Sequence, residues 1–509
     1  MSKRQCIRLT ISLLLPLAAT AGFSEESAFD LNEAMSHVTT AVDNLLDHGR
    51  DTYGPVETPM IMSIIDIESE SSPQHPEVLD GMIRSEGRLH RRNPGGADLW
   101  DDQPLLRTLY ALSGITQDDR YTAAANDYVS SYFKRAPKEN GLLAWGSHIF
   151  YDAYTDAPGG DQDGKGPHET LVLCPNWEEM YAVAPDAVTK QIEKMWEWHI
   201  VDKESGLHNR HDDKQPGCDF AFSGGEFAYA FAFLHSKTKD PQHLEWAKIA
   251  AGRHWNMRNT ETNLAPDAPS TGKRYDAHHC FTTITGPHAA LLLKCYEASG
   301  DEWFRDVAVA YLKAYLKHGW DEDADKWWGM LRLNGRPVRL EGSGDGYDAW
   351  KPSGYVDIWR SVMFSYEFPL IAAQTTLYAY DLTQDPAMLE SARNWARHIL
   401  SEMPPGNGRR WGDDIANVLP RATETGGTYA ENYGRAISFF LHLHHVTQEA
   451  TSLETAHALA AEAIDKLYVD GWFRGHPAKD YYESTDGVGY LLYALLELGA
   501  YPERLRVNL

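Results

Sequence analysis

One recurring pattern limits what this chain can fold into. An apolar, helix-forming run is followed by a polar turn holding an acidic residue, and then by a second, amphipathic run. The clearest copies pair Leu105–Ser113 with Tyr121–Phe133, and Phe227–Leu234 with Leu244–Trp255. Residues 288–293 with 304–316, 375–380 with 389–400, and 437–443 with 453–467 repeat it, and a weaker copy ends in 188–200. The turn acids are Asp118, Asp186, Asp240, Asp301, Asp385 and Glu449. Their period of roughly 60 residues suits a helical hairpin plus a long connection. Apolar residues in the second runs fall at helical spacing, as at Val307, Ala310, Tyr311 and Tyr315. An acid just before each second run suits a helix N-cap or first turn.

The expected fold is therefore all-α: an (α/α) toroid of six or seven helical hairpins, with an open superhelix as the alternative. The connections 136–165, 258–285, 319–359 and 403–431 are rich in Gly, Pro and aromatic residues and too long for passive turns. In an array of hairpins such insertions gather on one face and build the binding site. No change of composition divides the chain, so residues 22–509 are expected to form one catalytic toroid domain.

Residues 1–21 read as a signal peptide. Lys3, Arg4 and Arg8 precede a short apolar stretch, and Ala19-Thr20-Ala21 supplies a small-residue cleavage site. Export to the periplasm or beyond follows. No later apolar run approaches the roughly 18 residues of a membrane span. The formal net charge of −26 repels phosphate backbones, which disfavours a nucleic-acid partner. Cys174, Cys218, Cys280 and Cys295 show no CxxC spacing, and either disulfides or buried thiols are compatible with them.

Several chemistries lack their usual signals. Gly272-Lys273 has no upstream phosphate-loop glycine, and Gly342–Gly346 is not a dinucleotide fingerprint. There is no G-x-S-x-G elbow. His168-Glu169 begins like a zinc-protease motif, but Val172 stands where the second His belongs. What remains is a set spread over three loops: Trp145-Gly-Ser-His148 leading to Tyr151-Asp152, then His168-Glu169, then Asn209-Arg210-His211. Two imidazoles and a carboxylate form a mixed nitrogen and oxygen ligand set that suits Mn, Fe, Co, Ni or Zn. Arg210 adds a fixed cation. Equally, His148 and His211 could be ordinary loop histidines.

The order and spacing of His148, Glu169, Arg210 and His211 resemble polysaccharide lyase family two, the pectate lyases with an α/α toroid, and their wider pectate-lyase relatives. The words around them, and Pro104-Leu-Leu-Arg-Thr-Leu-Tyr-Ala-Leu-Ser, resemble that family too. The resemblance covers about residues 85–260. It implies that His148, Glu169 and His211 hold a divalent metal, Mn foremost, with Ca, Zn, Co or Ni as alternatives. It also implies that Arg210 is the catalytic base in β-elimination from a polyuronate, with pectate or polygalacturonate the first candidates. Arginine is effectively always protonated, whereas a general base works best with a pKa near the working pH. Arg210 as a charge clamp, with Tyr151 or a metal-bound hydroxide as base, is therefore a second assignment.

Trp145, Asp152, His168 and Trp177 are the candidate substrate-binding residues, because ring faces stack on sugars and polar tips bond hydroxyls. His278, His279, Trp327, Trp328, Trp350, Tyr429 and Glu431 also stand in or beside predicted loops, although core packing is the simpler role for any single one. The partner implied is an anionic polysaccharide or oligosaccharide. The competing function is a toroid glycoside hydrolase acting on uronate-containing oligosaccharides. For an inverting enzyme of that kind, Asp152, Asp212, Asp345 and Glu431 are the available carboxylates. A non-catalytic carbohydrate-binding protein is the third possibility.

Overall fold

The computed structural model describes residues 30–74, 93–146, 148–270, 277–339, 354–359, 368–405, 426–506 and 509. The signal-like segment, Trp350 and Asp345 lie outside them.

Helical hairpins dominate. After α1 (Leu31–Asp47) come the pairs α2 (Leu99–Thr116) and α3 (Asp119–Arg135), α4 (Trp177–Val183) and α5 (Pro185–His199), and α6 (Ala221–Thr238) and α7 (Pro241–Met257). They continue with α8 (Ala289–Ser299) and α9 (Glu302–Gly319), α10 (Pro369–Thr383) and α11 (Pro386–Ser401), and α12 (Ala430–Thr447) and α13 (Ala450–Leu467). The last helix is α14 (Val488–Ala500).

Five of the turns are built alike. The first helix ends on a residue in the left-handed region, Gln117, Lys239, Gly300, Gln384 or Gln448. The next residue, an acid, is the N-cap of the second helix. Asp118, Asp240, Asp301 and Asp385 each accept a backbone N–H of the new first turn through the side chain. Glu449 occupies the same position without that bond, and Asp186 sits in the first turn of α5.

The first helices line the inside of a ring and the second helices wrap it. In α6 every residue from Ala221 to Leu234 is buried, because its neighbours cover all of its faces. Ring closure depends on close backbone approach. A Cβ on Gly434 of α12 would fall 2.5 Å from the Tyr490 carbonyl carbon of α14, and one on Gly489 would fall 2.4 Å from the Leu105 nitrogen of α2. The Thr108 hydroxyl of α2 donates to the Gly489 carbonyl at 3.0 Å. Thus α14, nearly last in the chain, packs between the first and last hairpins, and α1 covers it from outside with Met35 against Gly499. The fold is the expected α/α toroid.

The connections are more ordered than a string of loops. They form six small antiparallel sheets among the described residues, a departure from a purely α reading. Strands of two to four residues are too short to leave a visible alternation in the sequence. The sheet that matters most joins β1 (Gly96–Ala97), β2 (Ile149–Asp152) and β3 (Ala157–Gly160). Another pairs β4 (Ile200–Asp202) with β5 (Leu207–His208). One apolar core runs through the hairpins, and a smaller one gathers Phe220, Phe222, Ala268, Phe281, Met330 and Val338. Cys174, Cys280 and Cys295 are buried thiols outside any disulfide. Among the described residues, no helix is long and apolar enough to cross a membrane.

Candidate active site

Three backbone segments meet at the N-terminal end of α6. His148 directly precedes β2, which is held in the sheet by the pairs Gly96 with Asp152 and Ile149 with Gly160. Glu169 ends the next connection and His211 follows β5. Glu169 and His211 form an antiparallel backbone bridge, and the Thr170 N–H donates to the Arg210 carbonyl at 3.3 Å. The Glu169 N–H donates to the Trp145 carbonyl at 3.4 Å, tying the first segment to the second.

The side chains converge on Glu169. Its carboxylate has no solvent exposure, and Oε1 lies 2.8 Å from Arg210 Nε and 3.3 Å from His211 Nε2. Oε2 lies 3.5 Å from His148 Nε2. The two imidazoles stand edge to face, 5.2 Å between centroids. Burial would raise the acid, but Arg210, His211 and His148 together hold it well below the usual carboxylate range. One coordinating atom from each of His148, Glu169 and His211 lies within 4.8 Å of the others.

This donor set fits a divalent cation. The carboxylate is ionised, and His148 has a tautomer suited to ligation. Its Nδ1 sits 2.7 Å from Asp161 Oδ2, so when Nδ1 carries the proton and donates to Asp161, the Nε2 lone pair faces Glu169. The set is also held rigidly. Asp212, next to His211, receives the Lys138 ammonium and the Asn140 amide on Oδ2, each at 2.6 Å, and the His168 N–H on Oδ1 at 2.9 Å. One carboxylate thereby ties the His211 segment to the Glu169 segment. The Arg210 guanidinium lies 5.2 Å over the Phe220 ring, which stacks on Phe222.

Of the other candidates, Trp145, Trp177, His168 and Tyr151 are buried, and Asp152 is half-buried. Trp145 has no exposure and packs among Trp100, His168 and Trp177 in the core. Trp177 is likewise buried and lies against Phe233. Neither offers a ring face to a sugar. His168 is buried and bonds to His199 and Gln191, and burial lowers its pKa far below the ordinary histidine value. Asp152 accepts the Tyr154 N–H in a turn. Tyr151 is buried and donates to Asp156 at 3.0 Å, and burial, then Asp156, push its phenol far up, away from the role of base. His279, Trp327, Trp328 and Tyr429 are buried, and Glu431 accepts from Arg435. Asp161, Lys138 and Asn140 were absent from the sequence expectations, since no fixed spacing connects them to the cluster.

Comparisons with known proteins bear on this segment. A family model described as periplasmic pectate lyase matches residues 97–222. A pectate disaccharide-lyase of Dickeya dadantii (strain 3937) is 24% identical over 267 residues, 46% of this chain and 46% of that one. The chain thus matches about half the length of that relative. Among solved structures, a D-mannose isomerase aligns over 93% of this chain and 99% of its own, with TM-score 0.47 and 9% identity. An unsaturated glucuronyl hydrolase specific for heparin aligns over 91% and 96%, with TM-score 0.44 and 13% identity. Over residues 97–222, the segment that carries all three candidate ligands and Arg210, the chain is similar to the periplasmic pectate lyase family.

Proposed function

We propose that this protein is an exported, metal-dependent polyuronate lyase, acting on pectate or polygalacturonate, with residues 22–509 as one catalytic domain. The observation that carries the proposal is the convergence of His148, Glu169 and His211, with Arg210 on the same carboxylate. These three residues would hold the metal, with Mn the first choice on the resemblance to the pectate lyases. Bound there, a divalent cation would supply charge neutralisation at a uronate carboxylate, which favours loss of the C5 proton.

The chain's own residues supply binding and positioning. Arg210 contributes a permanent cation with a planar fork that matches a carboxylate. We assign it to gripping the uronate, because a guanidinium beside an ionised Glu169 has every reason to keep its proton. Asp161 orients His148, and Asp212 keeps the Glu169 and His211 segments in register. In the reaction a base takes the C5 proton, the freed electron pair forms the C4=C5 double bond, and the C4–O bond breaks. The departing sugar keeps that bonding pair and acquires a proton.

The test is incubation with polygalacturonate, with and without chelator. A lyase releases a conjugated unsaturated product that absorbs ultraviolet light, and chelation abolishes the signal. Reducing ends without absorbance would make the protein a hydrolase, and absorbance untouched by thorough chelation would remove the metal.

A further inference from the structure

A fourth segment reaches the Gly146 turn next to the cluster. Asp98 follows β1 and is the N-cap of α2, with no solvent exposure. One oxygen does the ordinary capping work: Oδ1 accepts the Trp100 N–H at 2.9 Å. The other does something a cap does not require. Oδ2 accepts the N–H of Gly146 at 3.0 Å, across 48 positions of sequence.

Gly146 is the floor under Glu169. Its φ is +97°, a conformation open to glycine, and a Cβ there would lie 2.6 Å from the Glu169 carbonyl oxygen and 3.0 Å from its Cβ. The preceding carbonyl, of Trp145, receives the Glu169 N–H, and His148 is two residues further on. The orientation of the Gly146 peptide therefore sets where Glu169 rests and where the chain leaves for His148. A peptide in this buried turn needs its N–H satisfied, since an unpaired buried donor costs about 1–3 kcal/mol.

We propose that Asp98 is a positioning residue for the His148, Glu169 and His211 cluster, holding the Gly146 peptide in the orientation on which Glu169 and His148 depend. The proposal rests on reading that cluster as the metal site, but the anchoring itself does not need the metal. Asp98 touches neither metal nor substrate. It couples the start of the first inner helix to the ligand loop.

The experiment compares three variants of the full-length protein. Asp98→Ser keeps a good N-cap for Trp100 but cannot reach Gly146. Asp98→Asn keeps one acceptor at the original reach. Asp240→Ala removes the corresponding cap of α7, where no ligand loop depends on it, and so reports the effect of losing a cap alone. Two readouts are taken on purified apo protein: hydrogen exchange of the peptides covering 143–151 and 167–172, and Mn(II) affinity by titration. The expected result is faster exchange in both peptides for Asp98→Ser, intermediate exchange for Asp98→Asn, and wild-type exchange there for Asp240→Ala. Mn(II) affinity should fall about tenfold in Asp98→Ser, recover in part in Asp98→Asn, and stay unchanged in Asp240→Ala. Wild-type exchange in both peptides of Asp98→Ser overturns the proposal. So does an Asp240→Ala variant that loosens them equally. If the wild-type protein binds no Mn(II), the metal reading fails, and the exchange data still decide the role of Asp98.

Discussion

Lys138 Nζ lies 2.6 Å from Asp212 Oδ2, with both side chains almost out of solvent, and the same carboxylate accepts the N–H of His168, the residue before Glu169. A charge pair buried this way is expensive to break from one side, because the partner is left uncompensated. Asp212→Asn should therefore lose about 3 kcal/mol of stability. It should also weaken metal binding, because the segments carrying Glu169 and His211 lose a shared anchor. Thermal denaturation and a metal titration check the two effects. Stability that falls while affinity holds would confine Asp212 to folding.

Arg210 and His211 are adjacent but assigned to different tasks. Arg210→Lys keeps a cation and loses the planar fork. If Arg210 grips the uronate, KM should rise and part of kcat should survive. If it is the base, kcat should drop by orders of magnitude with metal content unchanged. His211→Ala should lower metal content instead, and excess Mn(II) should restore some activity. Full turnover in Arg210→Ala would remove both roles.

Trp145 belongs to the core by its surroundings, with no exposed ring face. Trp145→Phe should cost roughly 1–3 kcal/mol, the usual range for trimming a packed aromatic group without deleting it. KM for polygalacturonate should not move once the protein is folded. A raised KM with unchanged melting temperature would return Trp145 to the substrate cleft.

Asp102 predicts an unusual pH response. Burial pushes its carboxyl up to about 7, although Tyr128 and Ser63 both donate to it. In the unfolded chain it releases its proton near pH 4. Between about pH 4 and 7 the folded protein holds a proton that the unfolded chain has lost, so this group's contribution to stability falls as pH rises and levels off above 7. Asp102→Asn, a permanent neutral mimic, should remove that decline, worth up to roughly 4 kcal/mol over three pH units. Urea unfolding at pH 5 and pH 8 measures it, and parallel profiles for variant and wild type would refute it.

The hairpins were legible because their causes are local. Asp118, Asp240, Asp301 and Asp385 cap helices through bonds spanning two residues, and the apolar spacing of the second helices is visible within a dozen positions. His148, Glu169, Arg210 and His211 stood out by residue type and by resemblance, and nothing local placed them within reach of one another. Their meeting depends on the bridge between Glu169 and His211 and on the turn at Gly146, which are contacts between distant segments. Closure of the ring by α14 and α1 has the same origin, since Gly434 and Gly489 gain their meaning only from the helices that approach them. The fates of Trp145, Trp177 and His168 were decided in the same way. A tryptophan beside a predicted loop has the same ring whether it meets a sugar or the core, and only packing determines which face is covered. Asp98 shows both levels in one side chain: its cap on Trp100 is a local bond, while its hold on Gly146 exists only because the fold brings residue 146 to residue 98.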